Sequence, residues 1–136
     1  MKTYVKRIIG GAVLSIALVT YTVPTWAGNR DNREVIVGYI VGNATGGATG
    51  GVNAARYSSD SKQYIGCIIR GTTSYSSVTC FAADKTGATF ACSTTDPNMI
   101  KTVRTMTNYS FLRFFTGADR STCDGIEVFN YSDYLK

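Results

Sequence analysis

Four cysteines and the complete lack of histidine place the strongest constraint on how this chain can fold. The cysteines are separated by 13, 12 and 31 positions, whereas zinc knuckles pair cysteines about two to four residues apart. Without histidine, the commonest metal ligand and the usual general base of hydrolases are both missing. The sequence therefore predicts two disulfides, no metal site and no cofactor. The disulfide residues are Cys67, Cys80, Cys92 and Cys123.

The first three cysteines have the spacing of opposed positions on neighbouring strands. One hairpin turn places Cys67 opposite Cys80, and the next turn places Cys80 opposite Cys92. Opposed residues have Cβ atoms about 5 Å apart, near disulfide range, whereas next-but-one strands are about 10 Å apart. A Cys67–Cys92 bridge is therefore disfavoured. Two pairings remain open, of which we prefer Cys67–Cys80 with Cys92–Cys123.

One helix is predicted directly after the third cysteine. Asp96 can cap free backbone amides, and Pro97 suits the first helical position, where no N–H is needed. Apolar residues then recur at helical spacing along one stripe. They are Met99, Ile100, Val103 and Met106. We therefore expect one α-helix near residues 97–107.

Strand-like patterns dominate the rest of the chain. The predicted strands lie near residues 35–41, 52–57, 63–70, 78–83, 89–93, 109–116 and 122–131. Residues 42–51 contain Ala-Thr-Gly-Gly twice and lack the Gly-Lys-Ser/Thr of a phosphate-binding loop, so we expect a flexible loop there. In the last strand, Cys123 and Ile126 are an odd number of positions apart, so a regular strand would point them to opposite faces. A bulge at Gly125 would turn both toward the core.

These elements predict one fold class. We expect an α+β fold with a mostly antiparallel β-sheet of about six or seven strands and one helix. Two disulfides, each typically about 2–4 kcal/mol, would stabilise so small a core.

The first 27 residues have the composition of a secretory signal peptide. Three basic side chains precede an apolar run over residues 8–23, and residues 25–27 end in the small-residue pattern that a signal peptidase reads. A transmembrane anchor is the alternative, but polar and glycine residues interrupt the run. We expect cleavage after Ala27 and a single small domain over residues 28–136, without a membrane anchor. Its location would be periplasmic or extracellular, where disulfides form.

Loss of the leader lowers the net charge and narrows the range of partners. The full chain carries 14 basic and 9 acidic residues. Three of the basic residues lie in the leader, so residues 28–136 keep 11 basic and 9 acidic residues, a net charge of +2. They contain no basic cluster of the kind that nucleic-acid binding requires. A nucleic-acid partner is therefore not expected.

Seven tyrosines follow the leader, in a background rich in Ser, Thr, Asn and Gly. Flat amphipathic rings among adaptable hydrogen-bonding groups are typical of recognition surfaces, although ordinary strand tyrosines are the alternative. The first hypothesis is therefore a secreted, non-enzymatic module that binds a cell-surface, glycan or protein partner. The candidate binding residues are Tyr64, Tyr75, Tyr109 and Tyr131.

A second hypothesis is a self-assembling extracellular structural subunit. Residues 35–41 form an uncharged run of high strand propensity, tethered by the glycine-rich segment. Such a run could complete the sheet of a neighbouring copy by strand addition. The candidate residues are Val35, Val37, Tyr39 and Val41.

A third hypothesis is a small secreted hydrolase. Asp119, Asp124 and Glu127 flank the last predicted hairpin, and two carboxyl groups about 5–9 Å apart could cleave a glycosidic bond. The alternative is that they are ordinary surface charges near Arg113 and Arg120. A Ser–Lys arrangement is a further option, but no motif supports it, so we favour the non-enzymatic hypothesis.

Overall fold

The computed structural model describes residues 33–38, 42 and 44–130. The predicted leader over residues 1–27, and the candidates Tyr39, Val41 and Tyr131, lie outside these residues. The described residues form seven strands in two antiparallel sheets, with two short helices, which confirms the mostly antiparallel α+β class. In this part of the chain, no helix has the length and apolar character needed to cross a membrane.

The elements follow one another along the chain with short connections. In order they are β1 (Ile36–Val37), β2 (Gly46–Gly51), α1 (Val52–Arg56), β3 (Tyr64–Gly71), β4 (Ser76–Ala83), β5 (Thr89–Thr94), α2 (Pro97–Val103), β6 (Phe111–Thr116) and β7 (Cys123–Phe129). The four-stranded sheet has the order β1-β2-β6-β7, and the three-stranded sheet has the order β3-β4-β5.

The core lies between the inner faces of the two sheets. The Phe90 ring of β5 stacks on the Phe114 ring of β6, with centroids 5.7 Å apart. Alternate residues of both sheets join them in one cluster of buried side chains. The cluster includes Ala48, Ile65, Val78, Cys80, Ala82, Cys92, Leu112, Phe114, Cys123 and Ile126.

The preferred disulfide pairing is confirmed. Cys67–Cys80 links the opposed positions of β3 and β4, and Cys92–Cys123 links the two sheets. Cys80 is also opposite Cys92, as predicted. Cys92 bonds to Cys123 instead because the start of β7 runs beside β5, where the Ser93 N–H donates to the Ser121 carbonyl over 2.9 Å.

The glycine-rich segment is where the structure departs most from the sequence-based expectation. Residues 42–51 were expected to form a loop, yet β2 is a buried strand between β1 and β6. A Cβ added at Gly50 would lie 2.9 Å from the Val35 Cα, and one added at Gly46 would lie 3.1 Å from the Phe90 ring. The glycines therefore let neighbouring segments approach closely. Residues 52–57, expected as a strand, contain helix α1 instead.

The second helix, α2, begins as predicted. The Asp96 carboxylate accepts hydrogen bonds from the backbone N–H groups of Asn98 and Met99, at 2.8 and 3.0 Å. Ile100 and Val103 are buried on its inner side. The helix ends at Val103, four positions before the predicted end at residue 107.

The last strand contains a bulge, as predicted, but one residue before the predicted position at Gly125. Phe115 is opposite Gly125 and Thr116 is opposite Cys123, which leaves Asp124 as the extra residue. Cys123 and Ile126 are therefore both buried despite their opposite parity.

Candidate functional site

The aromatic rings on the outer face of the four-stranded sheet pack against its own side chains, although Ile36 of β1 is 54% exposed on this face. The Arg33 guanidinium lies 5.3 Å from the centroid of the Phe111 ring, and Phe111 packs edge-on against Phe129. Phe111 is consequently only 3% exposed. Beside it, Arg113 lies over the Phe129 ring and forms a 2.9 Å ion pair with Glu127. The aromatic residues of this face are thus used for internal packing.

The outer face of the three-stranded sheet is different, because exposed apolar side chains lie side by side on it and not singly. We call this surface the exposed sheet face. Strand alternation and the cross-strand register place its residues side by side. They are Tyr64, Gly66, Ile68 and Arg70 of β3, Ser77, Thr79 and Phe81 of β4, and Ala91 and Ser93 of β5.

The exposed sheet face combines aromatic, aliphatic and hydroxyl groups. Tyr64 is 46% and Ile68 is 44% exposed. The Tyr64 ring meets the Phe81 ring edge-on, with centroids 6.3 Å apart. Gly66 lies opposite Phe81, and a Cβ added there would meet no atom within 4 Å, so the space above it is open. This surface therefore presents an exposed aromatic ring and an exposed aliphatic side chain beside open space.

Hydroxyl groups extend the exposed sheet face toward β5. The Thr79 and Ser93 side-chain oxygens are 3.0 Å apart, within hydrogen-bond distance across the two strands. Ser77 lies beside Arg70 in the register, so the face has a polar end with one cation. Its hydrogen-bonding groups are neutral apart from Arg70.

Strand β3 borders this face and ends the sheet. Among the described strands, β4 is the only one that pairs with β3. The second half of β3 is exposed on both faces, including Ile68 and Ile69. A long edge strand with exposed apolar residues is a template for pairing with another chain.

The three candidate tyrosines within the described residues, Tyr64, Tyr75 and Tyr109, do not form one patch. Tyr64 begins β3, whereas Tyr75 lies in the turn beyond the other end of the same strand. Seven residue steps separate Tyr64 from Gly71, a length of about 23 Å. Tyr109 is exposed but precedes β6 in the other sheet. Of the three candidates that the structure describes, only Tyr64 belongs to the exposed sheet face.

Ile68 and Phe81 were not among the residues singled out from the sequence. The only signal for Ile68 was that the β3 sequence has isoleucines on both faces of the strand, at positions 65, 68 and 69. No such signal pointed to Phe81 of β4. Such a strand must expose at least one apolar side chain if one of its faces is solvated.

The acidic residues near the last hairpin make structural contacts. The Thr122 side chain and the backbone N–H groups of Thr122 and Ser121 donate hydrogen bonds to the Asp119 carboxylate, and these bonds lower the pKa of Asp119. Glu127 is paired with Arg113. Asp124, the extra residue of the bulge, lies beside Gly117. Within the described residues, no group of three metal-binding side chains comes together.

Two of the strand-addition candidates, Val35 and Val37, lie next to or within the four-stranded sheet. Val35 is 2% exposed, and its N–H donates a 2.7 Å hydrogen bond to the Gln63 side-chain oxygen. Val37 lies opposite Ala48 in the short pairing of β1 with β2. Both residues therefore contribute to the fold of their own chain.

A second surface lies beside α2. A groove of about 540 Å³ is bordered by the helix, the loop before it and the start of β4. Its lining residues are Ser76, Thr95, Pro97, Ile100, Lys101 and Arg104. Both charged lining residues are cationic, and the groove is open to solvent.

Comparison of this chain with protein-family models, with curated proteins and with solved structures found no match.

Proposed function

We propose that this protein is a secreted, non-enzymatic recognition module that binds a cell-surface or extracellular partner through the exposed sheet face. The observation that carries the proposal is the contrast between the two outer faces. The four-stranded sheet covers its aromatic rings with arginine side chains, whereas the three-stranded sheet leaves Tyr64 and Ile68 accessible. Exposed apolar groups beside hydroxyls are typical of interaction sites.

The chemistry of the face supports binding to a glycan or protein surface. Tyr64 offers a flat ring, the open space above Gly66 offers room, and Thr79 and Ser93 offer hydroxyls. Such groups can cover an apolar sugar or side-chain surface while exchanging hydrogen bonds at its rim. The two disulfides would keep the face rigid, which lowers the entropy cost of binding.

Two substitutions on the face and one on the opposite sheet test this proposal. The purified, oxidised protein would be screened against immobilised glycans, cell-envelope fractions and extracellular proteins. For any partner retained, Ala91→Lys and Tyr64→Ala should each weaken affinity at least tenfold, or about 1.4 kcal/mol. Ala91 is exposed beside Phe81, so the lysine changes the face and not the core.

Ile36→Lys is the matched control. Ile36 is 54% exposed on the four-stranded sheet, and its replacement should change affinity less than twofold if the exposed sheet face is the site. Unchanged binding by both face variants would assign the site elsewhere. Failure to retain any partner in all three screens would contradict a recognition function.

A further inference from the structure

We propose that β3 pairs with β3 of a second copy, in antiparallel orientation about a two-fold axis at Cys67, and so forms a homodimer with one continuous six-stranded sheet. This inference goes beyond the proposed function and does not depend on it. Three observations on β3 carry it: the direction of its free backbone groups, the space above Gly66, and the position of Arg70.

The backbone groups of alternate β3 residues point away from β4. The Cys67 and Cys80 Cα atoms are 4.0 Å apart. In antiparallel sheets this distance is about 4.5 Å for a non-hydrogen-bonded pair and about 5.5 Å for a hydrogen-bonded pair, so the observed value fits the first kind. The hairpin turn agrees, because the Thr72 N–H donates to the Tyr75 carbonyl over 2.8 Å. Counting pairs back from that turn also makes Cys67–Cys80 a non-hydrogen-bonded pair.

The N–H and C=O groups of Ile65, Cys67 and Ile69 therefore face the free edge. In a pairing centred on Cys67, Ile65 lies opposite Ile69 of the second copy, and Cys67 lies opposite its own counterpart. All three positions then form hydrogen-bonded pairs, so the free groups of one edge match those of the other. A register displaced by one residue would lose this match.

The side chains of the exposed sheet face are self-complementary in the same register. Ile68 of one copy lies opposite Gly66 of the other, where a Cβ would meet nothing within 4 Å in the single chain. The exposed isoleucine thereby covers the open space above the glycine. This contact occurs twice because the two-fold axis repeats it.

The proposed register also gives the charged residue of β3 a suitable neighbour. Arg70 is the only charged residue of β3, and this register places it opposite Tyr64 of the second copy, where the guanidinium can lie over the ring. The two Arg70 residues are six positions apart across the pairing, or about 20 Å, so they do not repel each other strongly.

The dimer should be weak. The pairing engages seven of the eight β3 residues in each copy, from Tyr64 to Arg70. This is fewer than the roughly 20–30 residues per partner of a standard interface. We expect sedimentation velocity of the purified, oxidised protein to show monomer at about 5 µM and dimer at about 500 µM, as for interfaces at the low end of the size range.

Two variants separate dimer formation from folding. Gly66→Val fills space that is empty in the monomer, so it should keep or raise the melting temperature. It should also raise the dimer midpoint, the protein concentration at which half of the chains are dimeric, at least tenfold. Ile68→Lys should likewise keep the melting temperature and raise the dimer midpoint at least tenfold, because it places a lysine charge at the pairing. Ile36→Lys, on the other sheet, should leave the midpoint unchanged. Ala91→Lys, which tests the proposed function, is two strands from the free edge and should still dimerise.

Amide hydrogen exchange measured by NMR tests the register directly. The amides of Ile65, Cys67 and Ile69 should become protected as concentration rises, whereas those of Gly66 and Ile68 are already bonded to β4 at low concentration. A monomer at every concentration would overturn the proposal. So would polymers larger than a dimer, or folded Gly66→Val and Ile68→Lys variants that dimerise with the midpoint of the original protein.

Discussion

Gly50 and Gly66 are both strand residues, yet their surroundings give them opposite tolerance to a side chain. A Cβ at Gly50 would lie 2.9 Å from the Val35 Cα, a backbone atom that cannot rotate away. At Gly66 the same atom would meet nothing within 4 Å. The first glycine is required by close packing, and the second is not.

We expect Gly50→Ala to lower the free energy of unfolding by about 1–3 kcal/mol, because the β1 segment must move away from β2. Urea denaturation monitored by circular dichroism measures the change. Gly66→Ala is the matched control and should leave the stability unchanged or slightly higher, since it removes glycine flexibility without a clash. Equal stability of the two variants would mean that the close approach of Val35 is not structurally important.

The sequence could not distinguish these two glycines. Gly50 belongs to a repeat without hydrophobic periodicity, and Gly66 interrupts an apolar strand. What decides their roles is a neighbour 15 residues away in one case and empty space in the other. The cysteines were easier to place, because the turns between them fix which positions lie opposite each other.

Among the secondary-structure elements, α2 begins at a position that a few neighbouring residues determine. The Asp96 carboxylate accepts two backbone hydrogen bonds, and Pro97 follows it at the first helical position. Removal of the cap should cost about 1 kcal/mol. We expect Asp96→Ala to lower the urea midpoint accordingly.

Asp96→Asn is the control for the helix cap, because the amide oxygen can still accept from the Asn98 and Met99 N–H groups. It should retain most of the stability. If the alanine and asparagine variants are equally stable, the side-chain cap makes no net contribution to folding.

Strand β2 shows why other elements could not be predicted. Its sequence has no side chain large enough to give an alternating pattern, and glycine is unfavourable in strands. It is a strand because β1 and β6 pair with it on both sides. Helix α2 depends on local caps, and β2 depends on partners distant in sequence. The exposed sheet face could not be predicted from the sequence either, because its residues come from three different strands.

For the whole molecule, we expect the two disulfides to make unequal contributions to stability. Cys67–Cys80 closes a separation of 13 residues within one hairpin, whereas Cys92–Cys123 closes 31 residues and joins the two sheets. Loop-closure entropy gives about 3 kcal/mol for the first and about 4 kcal/mol for the second. Cys92 and Cys123 also lie in the buried core.

We therefore expect the double variant Cys92→Ala/Cys123→Ala to lose more stability than Cys67→Ala/Cys80→Ala. Thermal and urea unfolding of both variants, beside the oxidised original, measures the difference. The opposite order would show that the sheets are held together mainly by their packed inner faces and not by the covalent link.

The pairing of β2 with β6 has a consequence for the order of events during synthesis. Gly46 is opposite Thr116, and at about 5–20 residues per second the second strand is made about 3–13 s after the first. The β3-β4-β5 meander is complete sooner and needs only tight turns, so it can fold first. Until β6 arrives, β2 lacks its main partner. We therefore expect the newly made chain to expose, for these seconds, an edge of β2 that β6 covers in the finished protein.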